Sequence, residues 1–509
     1  MRLLAVSVLL FAALSAAAQV ELPRMNEVVE VRLLNFDVVV TDRAGKPVRG
    51  LKREDFEIVE GGKLREVTNF SEFGVPGPDV KVEQAPPRHI VLFVDVLSTT
   101  TFERKRAAAA LTALISEVKP ADEVMIMSWN RRLRLDVLPT SDHAKLNEAL
   151  TRIAREASAD AAGQIMRERQ KSSDTPAVSR NYQRMALNDL TQSAAALNGV
   201  LTRLAGVNGR KVLVMVTKGF AMKGDPLDEQ NLEDTSEADI DAARVVKSVA
   251  RQANAAGVTL YAVHGGRLES GVSVEDGEAD SAATRVRQTA SSIDGLRYLA
   301  GRTGGVVVAN TNDASRGLAS IAGELASYYS LAYRATARRV DTERDVEIRT
   351  RDRNLRVRAR RAFVEQTFDT EIAHQVVANL FFPTSTNALQ ISAKAGAKER
   401  QKRNRFAMPV DVMIPYASLS LTPEDGQLVA DLSIFIGASD AKGGTSEVRR
   451  FDHKIRLAKD QLGKMAGRHY KYGLDVELFT IAGDQKIAVA VLDKLSRMTG
   501  FATVEGKQK

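Results

Sequence analysis

The chain has 509 residues, with 72 Lys and Arg against 64 Asp and Glu, a formal net charge of +8, and 44% hydrophobic residues. At roughly 100–200 residues per domain this length calls for about three domains, and the ordinary apolar fraction excludes a wholly disordered chain. There is no Cys and there are only 6 His. That excludes disulfides, iron–sulfur clusters, Cys-ligated zinc and thiol nucleophiles, and argues against an imidazole-based site.

In chain order, Arg2, an apolar stretch from Leu3 to Leu14 and Ala16-Ala17-Ala18 read as a secretory signal over residues 1–18, with cleavage before Gln19 and a secreted or periplasmic mature protein. The apolar stretch is shorter than the roughly 20 residues of a spanning helix. Residues 19–75 read as an N-terminal β module: VEVRLLNFDVVV alternates apolar and polar, and FEIVE and KLREVTNF flank Gly61-Gly62 as a hairpin does. Four prolines and two glycines between Gly74 and Arg88 suit a linker, placed at residues 76–87.

From residue 88 to 335 the pattern becomes short, continuous apolar runs, HIVLFVDV, EVMIMSW, KVLVMVT, VTLYAVH and GVVVAN, separated by helical stretches. Strands apolar on both faces belong to a mostly parallel sheet covered by helices on either side, a doubly wound α/β domain. Leu111, Leu114, Ile115 and Val118 mark a helix closed by Pro120, and Leu318, Ile321, Leu325 and Tyr328 mark the last one. A helical insertion interrupts the domain over about residues 153–209. The stretch Gly224–Ala242 holds eight acidic residues and no basic one, but lacks the Gly-punctuated spacing of a Ca²⁺ loop.

DVEIRT and LRVRARRAF then read as a β-hairpin extension over residues 336–364, with Arg349, Arg351, Arg356, Arg358 and Arg360 on one face. Residues 370–509 read as a C-terminal β-sandwich, because QLVADLSIFIG and YKYGLDVEL alternate and turn signals recur. Lys394–Arg405 holds six basic residues and one acid. With the Arg hairpin it reads as solvated edge charge, the other reading being peripheral contact with an anionic envelope surface. Aromatics are not interleaved with these residues, which argues against nucleic acid.

In an open parallel sheet, ligands bind beyond the carboxyl ends of the strands. The first strand of the α/β domain ends at Asp95, followed by Val96-Leu97-Ser98-Thr99, and a later one ends at Thr217-Lys218-Gly219. Trp129 and His264 also end strands and read as packing residues. Paired carboxylates, a Gly-rich phosphate loop and a G-x-S-x-G elbow are missing from the sequence.

The phrases GLKREDFEIVEGGK, HIVLFVDV and TGG…NTND…SYYSLAY, in this order, resemble the VWFA-related proteins of the acidobacterial type, within the von Willebrand factor A domain family. The resemblance covers nearly the whole mature chain. It implies an A-type (vWA/Rossmann-like) central domain and a binding or adhesion role. It also implies a Mg²⁺ site built from an Asp-x-Ser-x-Ser loop, a Thr from a middle loop and a later Asp.

This chain departs from that pattern. Asp95 matches the first ligand and Thr99 can replace the last Ser, but Leu97 stands at the first Ser and Lys218 at the later Asp. Thr191 and Thr175 are the candidates for the middle Thr. The expectation is a degenerate, metal-free site at Asp95, Ser98, Thr99, Thr217 and Lys218, with Lys218 paired to Asp95 and no cofactor. If Mg²⁺ is retained, Asp95 and Thr99 are the ligands. The expected function is non-enzymatic protein binding or adhesion at the cell envelope; the alternatives are a Mg²⁺-dependent adhesion protein and a hydrolase of envelope polymer. Nothing in the sequence specifies the partner or the oligomeric state.

Overall fold

The computed structural model of the protein describes residues 31–74, 86–159, 176–220, 237–265, 292–311, 314–336, 342–382, 386–402, 405–465, 467–478 and 484–506. The signal-like residues 1–18, most of the linker, Thr175 and the greater part of the acidic stretch lie outside these. Among the described residues, no helix is long and apolar enough to cross a membrane.

The chain opens with β1 (Val31–Thr41), β2 (Phe56–Glu60), β3 (Lys63–Arg65) and β4 (Asn69–Phe73). The α/β domain follows with β5 (Arg88–Asp95), α1 (Thr101–Ile115), β6 (Glu123–Trp129), β7 (Leu133–Thr140), α2 (His143–Arg155) and α3 (Pro176–Ala205). It continues through β8 (Arg210–Thr217), α4 (Glu237–Ala256), β9 (Val258–His264), helical residues 292–303, β10 (Val307–Val308) and α5 (Ser315–Ala326). Next come β11 (Tyr328–Thr336), β12 (Glu343–Thr350), β13 (Arg356–Arg358), β14 (Ala362–Val364) and α6 (Phe368–Asn379). The rest is strand: β15 (Ser392–Ala395), β16 (Glu399–Lys402), β17 (Arg405–Pro415), β18 (Thr422–Glu424), β19 (Gln427–Ser439), β20 (Arg449–Ala458), β21 (His469–Leu478), β22 (Gln485–Asp493) and β23 (Thr499–Gly506).

The central sheet has the order β10-β9-β8-β5-β6-β7. All its pairings are parallel except that of the edge strand β7 with β6. Its strands are apolar on both faces because both faces are covered. Ile90, Leu92 and Val214 pack under Leu111, Leu150 and Leu318 of α1, α2 and α5. Val91, Phe93 and Leu213 pack under Leu197, Val200 and Leu201 of α3, Val246 and Val249 of α4, and Leu296. Each such aliphatic side chain contributes about 1.5–3 kcal/mol on full burial. Leaving the cores on both faces, the strands end at one rim, where Asp95, Thr217 and His264 lie.

Three boundaries differ from the sequence reading. First, β11 is not in the central sheet but pairs antiparallel with β1, from Val31↔Thr336 to Val38↔Tyr329, and with β4. The α/β domain therefore leaves a β unit after β4 and returns to it at β11, and Tyr328 belongs to that strand rather than to the last helix. Second, the expected hairpin of residues 336–364 is split. β12 joins β2 and β14 in one sheet, whereas β13 joins β1 in the other. The two sheets close over Phe36, Val38, Ile58, Tyr333 and Val346, so neither the N-terminal module nor the hairpin has a complete core without the other. Within this unit Gly61 and Gly62 have φ of +54° and +78° and turn β2 into β3, the left-handed conformation glycine tolerates.

Third, the stretch read as an insertion ends in α3, whose Leu197, Val200, Leu201 and Leu204 are fully buried. This half of it is a covering helix of the domain rather than an addition to it. The C-terminal unit likewise begins with a helix. Thr367 caps α6 by accepting from Thr370 N, and Ile372, Val376 and Val377 form its buried face. The packing of α6 on α3 is close: a Cβ on Gly206 would sit 2.3 Å from the Gln375 nitrogen. Behind α6, the sheet of β15, β17, β16 and β21 faces that of β18, β19, β22, β23 and β20. Val410, Val412, Ala430, Leu432, Ile434, Ile487 and Val489 fill the space between, a β-sandwich.

Candidate functional site

The site loop begins where β5 ends. Asp95 is the last residue of the strand and is 1% exposed. The backbone turns at once, with Thr99 donating its amide to the Asp95 carbonyl at 3.3 Å and its hydroxyl to the same oxygen. α1 then starts with a reciprocal cap: Thr100 Oγ1 accepts from Glu103 N at 3.3 Å, and Glu103 Oε2 accepts from Thr100 N at 2.7 Å.

One buried cation holds this loop. Arg104 is 2% exposed. Its guanidinium donates to the carbonyls of Val96 and Thr99 and to that of Glu156 beyond α2. Carbonyls at the turn, which no strand or helix satisfies, thus find a charged donor.

The Asp95 carboxylate is occupied by its neighbours. Oδ1 accepts from Ser98 N at 3.1 Å, and Oδ2 accepts from Ser98 Oγ at 2.7 Å and Thr217 Oγ1 at 3.1 Å. Burial pushes this carboxyl above its ordinary range. The three hydrogen bonds oppose the shift, and the charge of Asp189 on α3 adds to it. The β8 end closes the network, since Lys218 N donates to Ser98 Oγ at 3.3 Å and Gly219 N to Thr217 Oγ1 at 3.1 Å. Gly219 has φ of +100°, and a Cβ there would meet the Ser292 carbonyl at 2.5 Å. From β9, Gly265 N donates to the Thr217 carbonyl at 2.9 Å, which ties the third strand end to the second.

Asp95, Ser98, Thr99, Thr217 and Lys218 thus lie on one rim, as the sequence suggests, but their pairing differs. Lys218 Nζ is 3.7 Å from Glu103 Oε1, so its ion partner is Glu103 and not Asp95. Asp95 is enclosed by the hydroxyls of Ser98 and Thr217, while Glu103 is buried in the first turn of α1, where it also caps the helix. Thr191 does not supply the middle hydroxyl: it is exposed and donates to the Leu187 carbonyl of its own helix at 2.8 Å. Asp189, two residues earlier, is the α3 side chain whose charge Asp95 feels. The sequence reading does not single out Glu103 or Asp189. The Thr100-x-x-Glu103 capping spacing points to Glu103, whereas no local pattern distinguishes Asp189.

Leu97 is 4% exposed and packs in the core, and Trp129 beside it is 8% exposed, as packing residues should be. His264 is 6% exposed. Burial pushes its pKa down, against the opposing charge of Glu103.

This donor set does not fit an octahedral Mg²⁺ centre, which needs several oxygens with free lone pairs. Both Asp95 oxygens already accept hydrogen bonds, Leu97 offers no oxygen, and the Thr99 hydroxyl is turned to the backbone. Lys218 brings an ammonium where a second carboxylate would stand. Among the described residues no three His, Asp or Glu side chains gather in one place.

Strand order and helix cover define a doubly wound, mostly parallel α/β domain held between two β units. No family model and no curated protein matches the chain. Solved structures similar to it include a von Willebrand factor type A protein from Catenulispora acidiphila, at 10% identity over 94% of this chain and 73% of that one, with a TM-score of 0.24. The von Willebrand factor domain of the type V pilus tip protein Mfa5 from Porphyromonas gingivalis is similar at 10% identity, over 48% of this chain and 96% of that one, TM-score 0.25. An aerotolerance-related membrane protein from Bacteroides fragilis is similar at 11% identity, over 47% of this chain and 98% of that one, TM-score 0.26. At these values the likenesses carry no argument, and the fold is read from the strand order itself.

Proposed function

We propose that the chain is a non-enzymatic protein-binding module of the cell envelope or the space outside it, and that its binding rim works without a metal ion. The observation that carries this reading is the Asp95 carboxylate, whose two oxygens accept from Ser98 N, Ser98 Oγ and Thr217 Oγ1. A carboxylate so engaged organises the loops, with three of its roughly four acceptor sites taken by protein donors. The rim also offers a partner two accessible groups: the ring of Phe102, 58% exposed at the start of α1, and the Lys218 ammonium beside Glu103. An apolar ring next to a charged pair is an ordinary anchor for a protein partner. The position of the loops, the missing nucleophile motifs and the signal-like residues 1–18 support the same reading.

The test is crosslinking of the full chain to the native envelope, with and without a chelator. Crosslinked partners should persist in chelator and be lost on Phe102→Ala or Lys218→Glu. Partners lost in chelator and restored by Mg²⁺ would contradict the metal-independent reading, and partners indifferent to both substitutions would move the binding face elsewhere.

A further inference from the structure

At the opposite end of the central sheet, two cations meet without a carboxylate partner. Lys211, at the start of β8, is partly buried and donates Nζ to the Ala205 carbonyl at the end of α3 at 3.5 Å. Arg360, between β13 and β14, donates Nη1 to the Asn254 carbonyl in the last turn of α4 at 3.3 Å and Nη2 to the Asn35 carbonyl of β1. Its guanidinium lies over Phe36 at 4.4 Å. Both cations reach the same place: a Cβ on Gly257 would be 3.4 Å from Arg360 Nη1 and 3.6 Å from Lys211 Nζ. Among the described residues neither takes part in an ion pair.

The surroundings do not neutralise them. Asp37 is the one acidic residue whose charge acts on both, and it lies 3.9 Å from Arg210 Nε. Burial together with the Arg360 charge pushes Lys211 down to about 8. His374 of α6, pushed down by burial and by the Lys211 charge, adds no negative charge. Asn254 is fully buried, and neither atom of its side-chain amide has a hydrogen-bond partner among the described residues. The carbonyl ends of α3 and α4 attract both cations, which explains their positions. Helix ends carry only partial charge, however, so two partly buried cations side by side leave an excess of positive charge at this junction.

We propose that this junction is a binding site for a small oxyanion, inorganic phosphate or sulfate, held between the Lys211 ammonium and the Arg360 guanidinium. A tetrahedral dianion matches the two cations in charge and offers each of them acceptors. Bound there it bridges the α/β domain, which carries Lys211, and the β unit, which carries Arg360, with the α6 segment alongside. The site is independent of the rim at the other end of the sheet.

The experiment is thermal unfolding of the full chain in sodium phosphate or sulfate against sodium chloride at matched ionic strength and pH 7. A saturable rise of roughly 3 °C is expected with phosphate or sulfate, since a ligand bound only to the folded state stabilises it by mass action. Non-specific salting of the surface rises without saturation and is thereby distinguished. Lys211→Met should abolish the saturable part, Lys211→Arg should keep it, and Lys63→Met, at an exposed hairpin, should leave it unchanged. If Lys211→Met does not fold, saturable broadening of the phosphorus-31 resonance by the wild-type protein, absent with Arg360→Gln, carries the test. No saturable rise, or a rise that survives Lys211→Met, means an adventitious ion only and overturns the proposal.

Discussion

The two ends of the central sheet solve the problem of buried charge in opposite ways. At the carboxyl end, Asp95 is enclosed by neutral donors, Ser98 and Thr217, the buried Arg104 is satisfied by loop carbonyls, and Lys218 pairs with Glu103. At the amino end, Arg88 and Asp122 form a buried pair, whereas Lys211 and Arg360 stand beside helix carbonyls with no carboxylate in contact. The first arrangement is complete within the chain. The second has positive charge to spare. The difference teaches that resemblance directs attention to the carboxyl rim, while the electrostatic imbalance of the molecule sits on the other side of the domain.

The comparison predicts that breaking the closed end is costly. Arg104→Met removes the charged donor from three carbonyls at 2% exposure and should cost about 3 kcal/mol in urea unfolding, since each buried acceptor left unpaired carries its desolvation penalty. A loss below about 1 kcal/mol would mean that the loop is held by other contacts.

The open end should show itself in pH dependence. Lys211 is pushed from 10.5 down to about 8 in the folded chain. Between those values the unfolded chain holds the proton that the folded chain has released, so stability rises with pH across that window. Discounted for partial exposure, the rise is roughly 2 kcal/mol. Tyr261, Tyr328, Tyr329 and Tyr333, buried and pushed up to about 12, act with the opposite sign above pH 10. The quantity to measure in chloride is therefore the difference between wild type and Lys211→Met, which should narrow from pH 8 upward. A difference that is flat with pH would contradict the assignment.

The smallest effect belongs to Lys218. Its pair with Glu103 is 3.7 Å long and about a third exposed on the Lys side, so Lys218→Met should change stability by less than about 1 kcal/mol. A larger loss, read in the same unfolding assay, would make this pair part of the loop's scaffold rather than of its surface.

Much of this arrangement is legible in the sequence, and the part that is not has a physical reason. Continuous apolar runs mark β5, β6, β8 and β9, because strands covered on both faces need no polar side. Strand ends then locate Asp95 and Thr217 without any knowledge of the sheet. Period-two alternation in VEVRLLNFDVVV says that it is a strand but not that it pairs with Tyr328–Thr336, since register is a long-range choice.

The same limit hides the roles of the arginines between residues 349 and 360. Their spacing looks like a basic face, yet Arg358 pairs with Glu324 and Arg360 turns to the α4 end. Charge that sequence assigns to the surface is in these cases the cement between β unit and α/β domain. α6 escapes the sequence for a different reason: its apolar residues Ile372, Val376 and Val377 do carry helical spacing, but the strands after it dominate the pattern.

The central claim is that the rim is organised by hydroxyls and not by a metal ion. Its most direct test is calorimetric titration of the metal-stripped full chain with Mn²⁺ and with Mg²⁺, alongside Asp95→Asn. The account predicts no saturable heat for either ion and the same unfolding midpoint in chelator as in millimolar Mg²⁺. Micromolar Mn²⁺ binding that disappears in Asp95→Asn would contradict it.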